Sequence, residues 1–253
     1  MMRLIFGIFC FLLLASSSGF AQSESKLKDA NTAYKEGRYA DAILLYEQII
    51  NEDKKSSDEA YYNLGNAYFK LTDYPNAILN YERALRFAPS DEDILFNLEL
   101  ANEKIEDKIE AIPQLFYKRW FLSIRNQSGQ DFWAILFLIF LSFSVLFLGG
   151  FFLSNKTGIK KTGFYGSILS LIIAFVFLAF AFSMHRWQNK AKEAIVFAGS
   201  VSVKSSPVES GTGLFVIHAG TKVQITDELG EWKRVKLADG NEGWMLGSDI
   251  EEI

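Results

Sequence analysis

Tyr61-Tyr-Asn-Leu-Gly-Asn-Ala-Tyr68, followed by Asp73-Tyr74, Ala77, Tyr81, Ala84-Leu85 and Pro89, is the stretch from which the rest of this 253-residue sequence can be read. Small residues (Gly65, Ala77, Ala84) fall where two antiparallel helices must approach closely, and large ones (Leu64, Tyr68, Tyr74, Tyr81, Leu85) fall where the gap between them must be filled. Pro89 cannot continue a helix and closes the unit. The pattern also lies one step upstream. Gly37-Arg38-Tyr39, Ala42-Ile43 and Tyr46 are echoed by Thr72-Asp73-Tyr74, Ala77-Ile78 and Tyr81, with Ala42 and Ala77 35 residues apart. Asn63-Leu64 returns as Asn97-Leu98, 34 residues on. A period of this length predicts an array of helix pairs.

Position by position, the second unit resembles the tetratricopeptide repeat. The resemblance places the array at residues 22–112, with units at about 23–57 and 58–91; the first is looser, with Asp29 where Leu is expected. Beyond Pro89, Ser90-Asp91 can cap a helix whose apolar residues Ile94, Leu98, Ala101, Ile105, Ile109 and Ile112 form one stripe, so residues 92–112 are predicted as a terminal helix stopped by Pro113. Such arrays hold extended peptides or helices in a concave groove. The resemblance lines that groove with Asn31, Tyr34, Lys35, Tyr62, Asn66, Phe69 and Lys70; the alternative is that the rings are partly core and the asparagines bond only to their neighbours. Asn31 and Asn63 are similar to the asparagines of carboxylate-clamp repeats, but Leu27 stands where the first clamp lysine belongs, which argues against a clamp.

Charge divides the chain into three zones. Residues 22–112 carry 11 basic and 19 acidic side chains, residues 113–193 carry 9 and 2, and residues 194–253 carry 5 and 9. Both polar outer zones are acidic, which argues against a nucleic-acid partner. Met1-Met-Arg3, the apolar run Leu4–Leu14 and the small residues ending at Ala21 read as a signal peptide over residues 1–21. Cys10, the only cysteine, lies inside that run, so the chain beyond it can form no disulfide and no cysteine metal cluster. Phe132–Asn155 holds no charge in 24 positions and Thr162–Met184 none in 23, each long enough for a hydrocarbon core of ~30 Å. Transmembrane helices are therefore predicted at 132–155 and 162–184. A lysine-bearing cytoplasmic loop at 156–161 would join them, with Trp133 and Trp187 as interfacial anchors. Ahead of them, Phe116, Tyr117, Trp120, Phe121 and Ile124 recur at helical spacing among Lys118, Arg119 and Arg125. Residues 113–131 thus read as an amphipathic segment on the membrane surface, or else as a helix packed on the soluble domain. Export of the N-terminus followed by two crossings puts both polar zones on the periplasmic side of a bacterial inner membrane.

From Ala194 the periodicity shortens to strands. Val201-Ser-Val-Lys-Ser-Ser-Pro207, Ala219-Gly-Thr-Lys-Val223, Gly230-Glu-Trp232, Asp239-Gly240 and Gly243-Trp244 together resemble a bacterial SH3 domain, spanning residues 194–253. Trp232 and Trp244 are expected in its core, with a ligand platform as the alternative, and the lone His218 is expected to be structural or merely exposed.

The fold class is thus a multi-domain membrane protein of helical repeats, two transmembrane helices and a small all-β barrel. No Ser/His/Asp or Cys/His constellation, phosphate loop or defined acid pair is present, so neither an enzyme nor a cofactor is expected. The order of segments, with Asn97-Leu-Glu-Leu-Ala101 before Pro113 and Trp120, resembles the BatE family of the Bacteroides aerotolerance (Bat) operon. That resemblance implies an interaction scaffold working with sister Bat membrane proteins. The alternative is an envelope-targeting or sensing module that grips peptidoglycan through its SH3 domain.

Overall fold

A computed structural model describes residues 25–53, 58–113, 115–190 and 192–253. The predicted signal peptide lies outside them. Two compact units emerge: residues 91–111 and 193–253 join the N-terminal repeats, and residues 88–90 and 112–192 form the second unit.

In the first unit, helix α1 (residues 25–35) packs on α2 (Tyr39–Asp53), α3 (Asp58–Lys70) packs on α4 (Tyr74–Phe87), and α5 (Glu92–Asn102) follows α4 without a pairing helix of its own. Ala30, Ala33, Ala42, Ala67, Ala77 and Ala84 are fully buried, as close helix crossing requires, and Tyr46 and Tyr81 fill the space between layers. Gly65 meets Tyr81 so closely that an added Cβ would lie 2.7 Å from its ring. The turns between paired helices are equivalent in the two units. Gly37 (φ 76°) and Thr72 (φ 62°) both occupy the left-handed region, which a β-branched residue enters only at a cost of about 1–2 kcal/mol.

Asp91 caps α5 by accepting the amides of Asp93 and Ile94. The helix ends at Asn102, which corrects the terminal helix predicted over 92–112. Lys108 Nζ donates to the carbonyls of Asn102 and Ile105, satisfying the helix terminus and turning the chain away from the helix axis. Ile105 and Ile109 leave the predicted stripe because their apolar partners lie on the C-terminal domain, where Ile109 packs against the buried cluster.

That domain is a seven-stranded antiparallel sheet in the order β3-β2-β6-β5-β4-β1-β7. The strands are β1 (Glu193–Val196), β2 (Ser200–Lys204), β3 (Gly213–His218), β4 (Lys222–Leu229), β5 (Trp232–Lys236), β6 (Glu242–Leu246) and β7 (Ile250–Glu252). Alternation sends Val201, Val203, Val223, Ile225, Val235 and Met245 inward to one core. Gly230 (φ 61°) makes the two-residue turn between β4 and β5, where Leu229 pairs with Trp232, and Gly240 (φ 94°) makes the turn before β6. The expected tryptophan core is not found. Trp232 and Trp244 stand half-buried on the outer face, and Val235 and Met245 take the interior instead.

In the second unit, α6 (Phe116–Arg125) precedes the helix pair α7 (Gln130–Leu153) and α8 (Thr157–Lys190). Asp131–Leu153 and Thr157–Arg186 are long and apolar enough to cross a membrane. The predicted loop at 156–161 is shorter than expected. Only residues 154–156 join the helices, and Ser154 Oγ accepts the Lys156 amide within the turn. A stripe of small residues on α8, Gly163, Ser167, Ser170 and Ala174, is buried against α7, and Ser144 donates to the Ser167 carbonyl at 3.1 Å. Trp133, read as an interfacial anchor, is packed within the helix pair and only 5 % exposed. It stacks with Phe177 and Phe180, and its Nε1 donates to the Arg125 carbonyl at 3.0 Å. α6 is divided accordingly: Phe121 and Ile124 pack on this cluster, while Phe116, Tyr117 and Trp120 are exposed.

The left-handed Thr72 yields the first prediction. Replacing Thr72 by Gly removes the steric cost while keeping the turn, and should raise stability by about 1 kcal/mol. The check is the urea midpoint of the full chain in detergent, followed by far-ultraviolet circular dichroism.

Candidate functional site

Helices α1 and α3 are the first helices of their repeats. Asn31, Tyr34 and Lys35 sit at helical spacing on α1, and Tyr62, Asn66, Phe69 and Lys70 on α3, so each set shares one face. Three pairs are related by the repeat: Asn31 with Asn66, Tyr34 with Phe69, and Lys35 with Lys70.

The asparagines are fixed by a bonding pattern that also repeats. Asn31 Oδ1 accepts from Tyr46 Oη at 2.6 Å and from Asn63 Nδ2 at 3.2 Å. Asn66 Oδ1 accepts from Tyr81 Oη at 2.7 Å and from Asn97 Nδ2 at 3.0 Å, and the same Asn97 nitrogen donates to Tyr62 Oη at 2.9 Å. Each amide oxygen is thereby committed. Among the described residues neither Asn31 Nδ2 nor Asn66 Nδ2 has a partner, which leaves two donors for an incoming chain. Tyr34 and Phe69 are half-buried and held edge-on by Tyr39 and Tyr74, with ring centroids 5.3 and 5.6 Å apart. Lys35 and Lys70 are exposed.

Burial, reinforced by Tyr39 and Tyr62, raises the Tyr34 phenol above its ordinary value; burial pushes Tyr46 up to about 12, and Tyr81 also upward. All three are neutral hydroxyl donors at physiological pH. Two amide donors, two half-buried rings and two cations suit the carbonyls and acidic side chains of an extended segment. Asn63 and Asn97, which bridge successive first helices, were not among the residues assigned to the groove. Their spacing of 34 is visible in the sequence, but their role as donors to Asn31 and Asn66 is a tertiary fact.

A second surface lies on the barrel. Lys204 and Trp244 are cross-strand partners, as are Arg234 and Trp244, and Lys204 Nζ sits 5.4 Å from the centre of the Trp232 ring.

The repeats and the barrel meet through polar contacts. Arg83 Nη2 donates to Glu251 Oε1 at 2.9 Å and to the Glu252 carbonyl at 2.8 Å. Lys222 Nζ lies 2.8 Å from Glu82 and 3.0 Å from Glu193; burial would lower its pKa, but the two carboxylates outweigh it and the net shift is upward. Asp107 accepts three bonds, from the His218 amide (2.6 Å), His218 Nδ1 (2.8 Å) and Thr221 Oγ1 (2.6 Å), while Glu106 lies 3.5 Å from His218 Nε2. Burial would raise the Asp107 carboxyl, but these donors hold it below its ordinary 3.8. The bond to Asp107 raises His218 above its ordinary 6.5, against a smaller opposing effect of burial and with Glu106 adding to the rise. His218 is thus structural, as expected, and its role is to join the domains.

The signs of these shifts set a pH window. The His218 contribution is complete below 6.5 and is lost as pH rises through its raised value; the Asp107 contribution is complete above 3.8 and is lost as pH falls through its lowered one. Protection of the His218 amide from hydrogen exchange, corrected for the intrinsic rate, should be greatest between those limits. It should decline on the alkaline side in the wild type but not in His218→Gln.

Comparison with known families matches residues 27–92 to the tetratricopeptide repeat and residues 199–251 to the bacterial SH3 domain. No curated protein matches the chain. The chain therefore combines tetratricopeptide repeats, two apolar helices long enough to cross a membrane, and a bacterial SH3 barrel.

Proposed function

We propose that this protein is a membrane-anchored interaction scaffold of the cell envelope, with its repeat groove holding an extended segment of a partner protein. The observation that carries this reading is the duplicated row Asn31/Tyr34/Lys35 and Asn66/Phe69/Lys70, in which the amide oxygens are committed internally and the nitrogens are left to donate. Tyr62 completes the surface between the two rows. On the BatE resemblance the partners are sister Bat proteins and the setting is an aerotolerance complex in the bacterial inner membrane. The export signal at 1–21 puts the repeats in the periplasm, the amphipathic segment at 113–131 lies against the membrane, and spans at 132–155 and 162–184 return the barrel to the same side. The bonds from Asp107 to His218 and from Arg83 to Glu251 support this topology, because they join chain from before the helix pair to chain from after it.

Co-purification from native membranes in mild detergent tests the groove. Charge reversal at Lys35 and Lys70 should lower partner recovery by roughly tenfold or more, since like charges meet an acidic segment. Full recovery of every partner would remove the groove assignment. A reporter fused after Ile253 should be active outside the cytoplasm, and cytoplasmic activity alone would reverse the topology.

The half-buried Lys204–Trp232–Trp244 face on the outside of the barrel favours a second reading, in which the barrel grips peptidoglycan by stacking sugars on indole rings. On that reading Trp232→Ala with Trp244→Ala abolishes retention of the full chain on purified peptidoglycan, whereas the scaffold reading expects no retention in either form.

A further inference from the structure

Residues 103–111, Glu-Lys-Ile-Glu-Asp-Lys-Ile-Glu-Ala, leave the end of α5 and run across the barrel without helix or strand. Alternate residues face it. Ile105 lies over the turn at Gly220, so close that a Cβ added there would collide with it, with Ile78 of α4 beside it. Ile109 packs against the barrel core. Between them the Asp107 carboxylate is gripped by the His218 amide, His218 Nδ1 and Thr221 Oγ1, and Thr221 is only 2 % exposed. Gly220, at φ 92°, makes the turn that brings these donors together.

An apolar–x–carboxylate–x–apolar segment whose acid meets three converging donors has the features of a bound peptide. The donors belong to the barrel and the segment belongs to the repeats. An open cleft of 430 Å³ lies alongside, between Asn102, Lys108 and Glu110 on one side and Thr221, Lys222 and Ala238 of the barrel on the other.

We infer that the barrel carries a recognition site for extended acidic segments of the pattern apolar–x–Asp–x–apolar, built on His218, Gly220 and Thr221, and that residues 105–109 occupy it in cis. The strap is the barrel's own ligand, and an acidic segment of another protein reaches the site by displacing it. This site is separate from the repeat groove, which lies on α1 and α3, and from the tryptophan face on β5 and β6.

The test uses the full chain in detergent and a fluorescent synthetic peptide of residues 103–111. A variant emptied in cis, Ile105→Ser/Asp107→Ala/Ile109→Ser, should bind the peptide saturably, and wild type should bind it at least tenfold more weakly because its site is filled. Substituting Asn for Asp107 within the peptide, or Thr221→Val within the emptied protein, should weaken binding by roughly 10–100-fold, the range for hydrogen bonds to a charged group. Absence of binding to an emptied variant that keeps the wild-type tryptophan spectrum would overturn the proposal, as would equal affinity for the Asp and Asn peptides. Asp107→Asn in the otherwise intact chain gives a second arm that does not depend on the triple variant folding. Its strap amides and the His218 amide should exchange hydrogen faster than in wild type, and unchanged exchange at both would equally overturn the assignment.

Discussion

One carboxylate closes the soluble part of this molecule. Asp107 is more than a hundred residues from His218 and Thr221 in sequence, and the whole apolar helix pair is inserted between them. The three bonds it accepts are charge-assisted and partly shielded, and with the packing of Ile105 and Ile109 they oppose the entropy cost of ordering a strap with no secondary structure of its own. Around that anchor the other contacts are peripheral. Arg83 with Glu251 is a more exposed pair, whereas Lys222 is half-buried between the carboxylates of Glu82 and Glu193 and adds a second polar tie across the same boundary.

Within the repeats the proposed binding face and the stability of the array share the same atoms. Tyr46 and Tyr81 are core residues by burial, yet their hydroxyls reach the amide oxygens of Asn31 and Asn66 on the groove side. Asn63 and Asn97 then tie each first helix to the next. The orientation of these amides is consequently set by the core before anything could bind.

Much of this was legible in the sequence, and the failures share a cause. The repeat period, the two apolar runs and the SH3 turns all rest on local spacing, which the chain reports directly. Ile105 and Ile109 continue the stripe of Ile94 and Leu98 and so read as helix, but a 4-residue step between isoleucines also fits alternation along an extended strap. Only the barrel, far away in sequence, decides between the two. The packing of Trp133 is likewise tertiary: its place near the end of an apolar run is local, but its contacts with Phe177 and Phe180 on another helix are not. The groove residues follow from position in the repeat, and their spacing places each set on one face of its own helix. That Asn31 and Asn66 spend their oxygens internally depends on phenols 15 residues away and is not a matter of spacing.

Helix α5 has no second helix to complete its repeat, and the β domain stands where that helix would otherwise shield the end of the stack. A helical solenoid normally ends in a dedicated polar helix. Here a domain of the other secondary-structure class does that work, bound by a strap cut from the unfinished repeat. The C-terminal end of the array is therefore closed to a further repeat. A unit added after α5 would have to displace the strap, whose Ile105, Asp107 and Ile109 are already taken by the barrel.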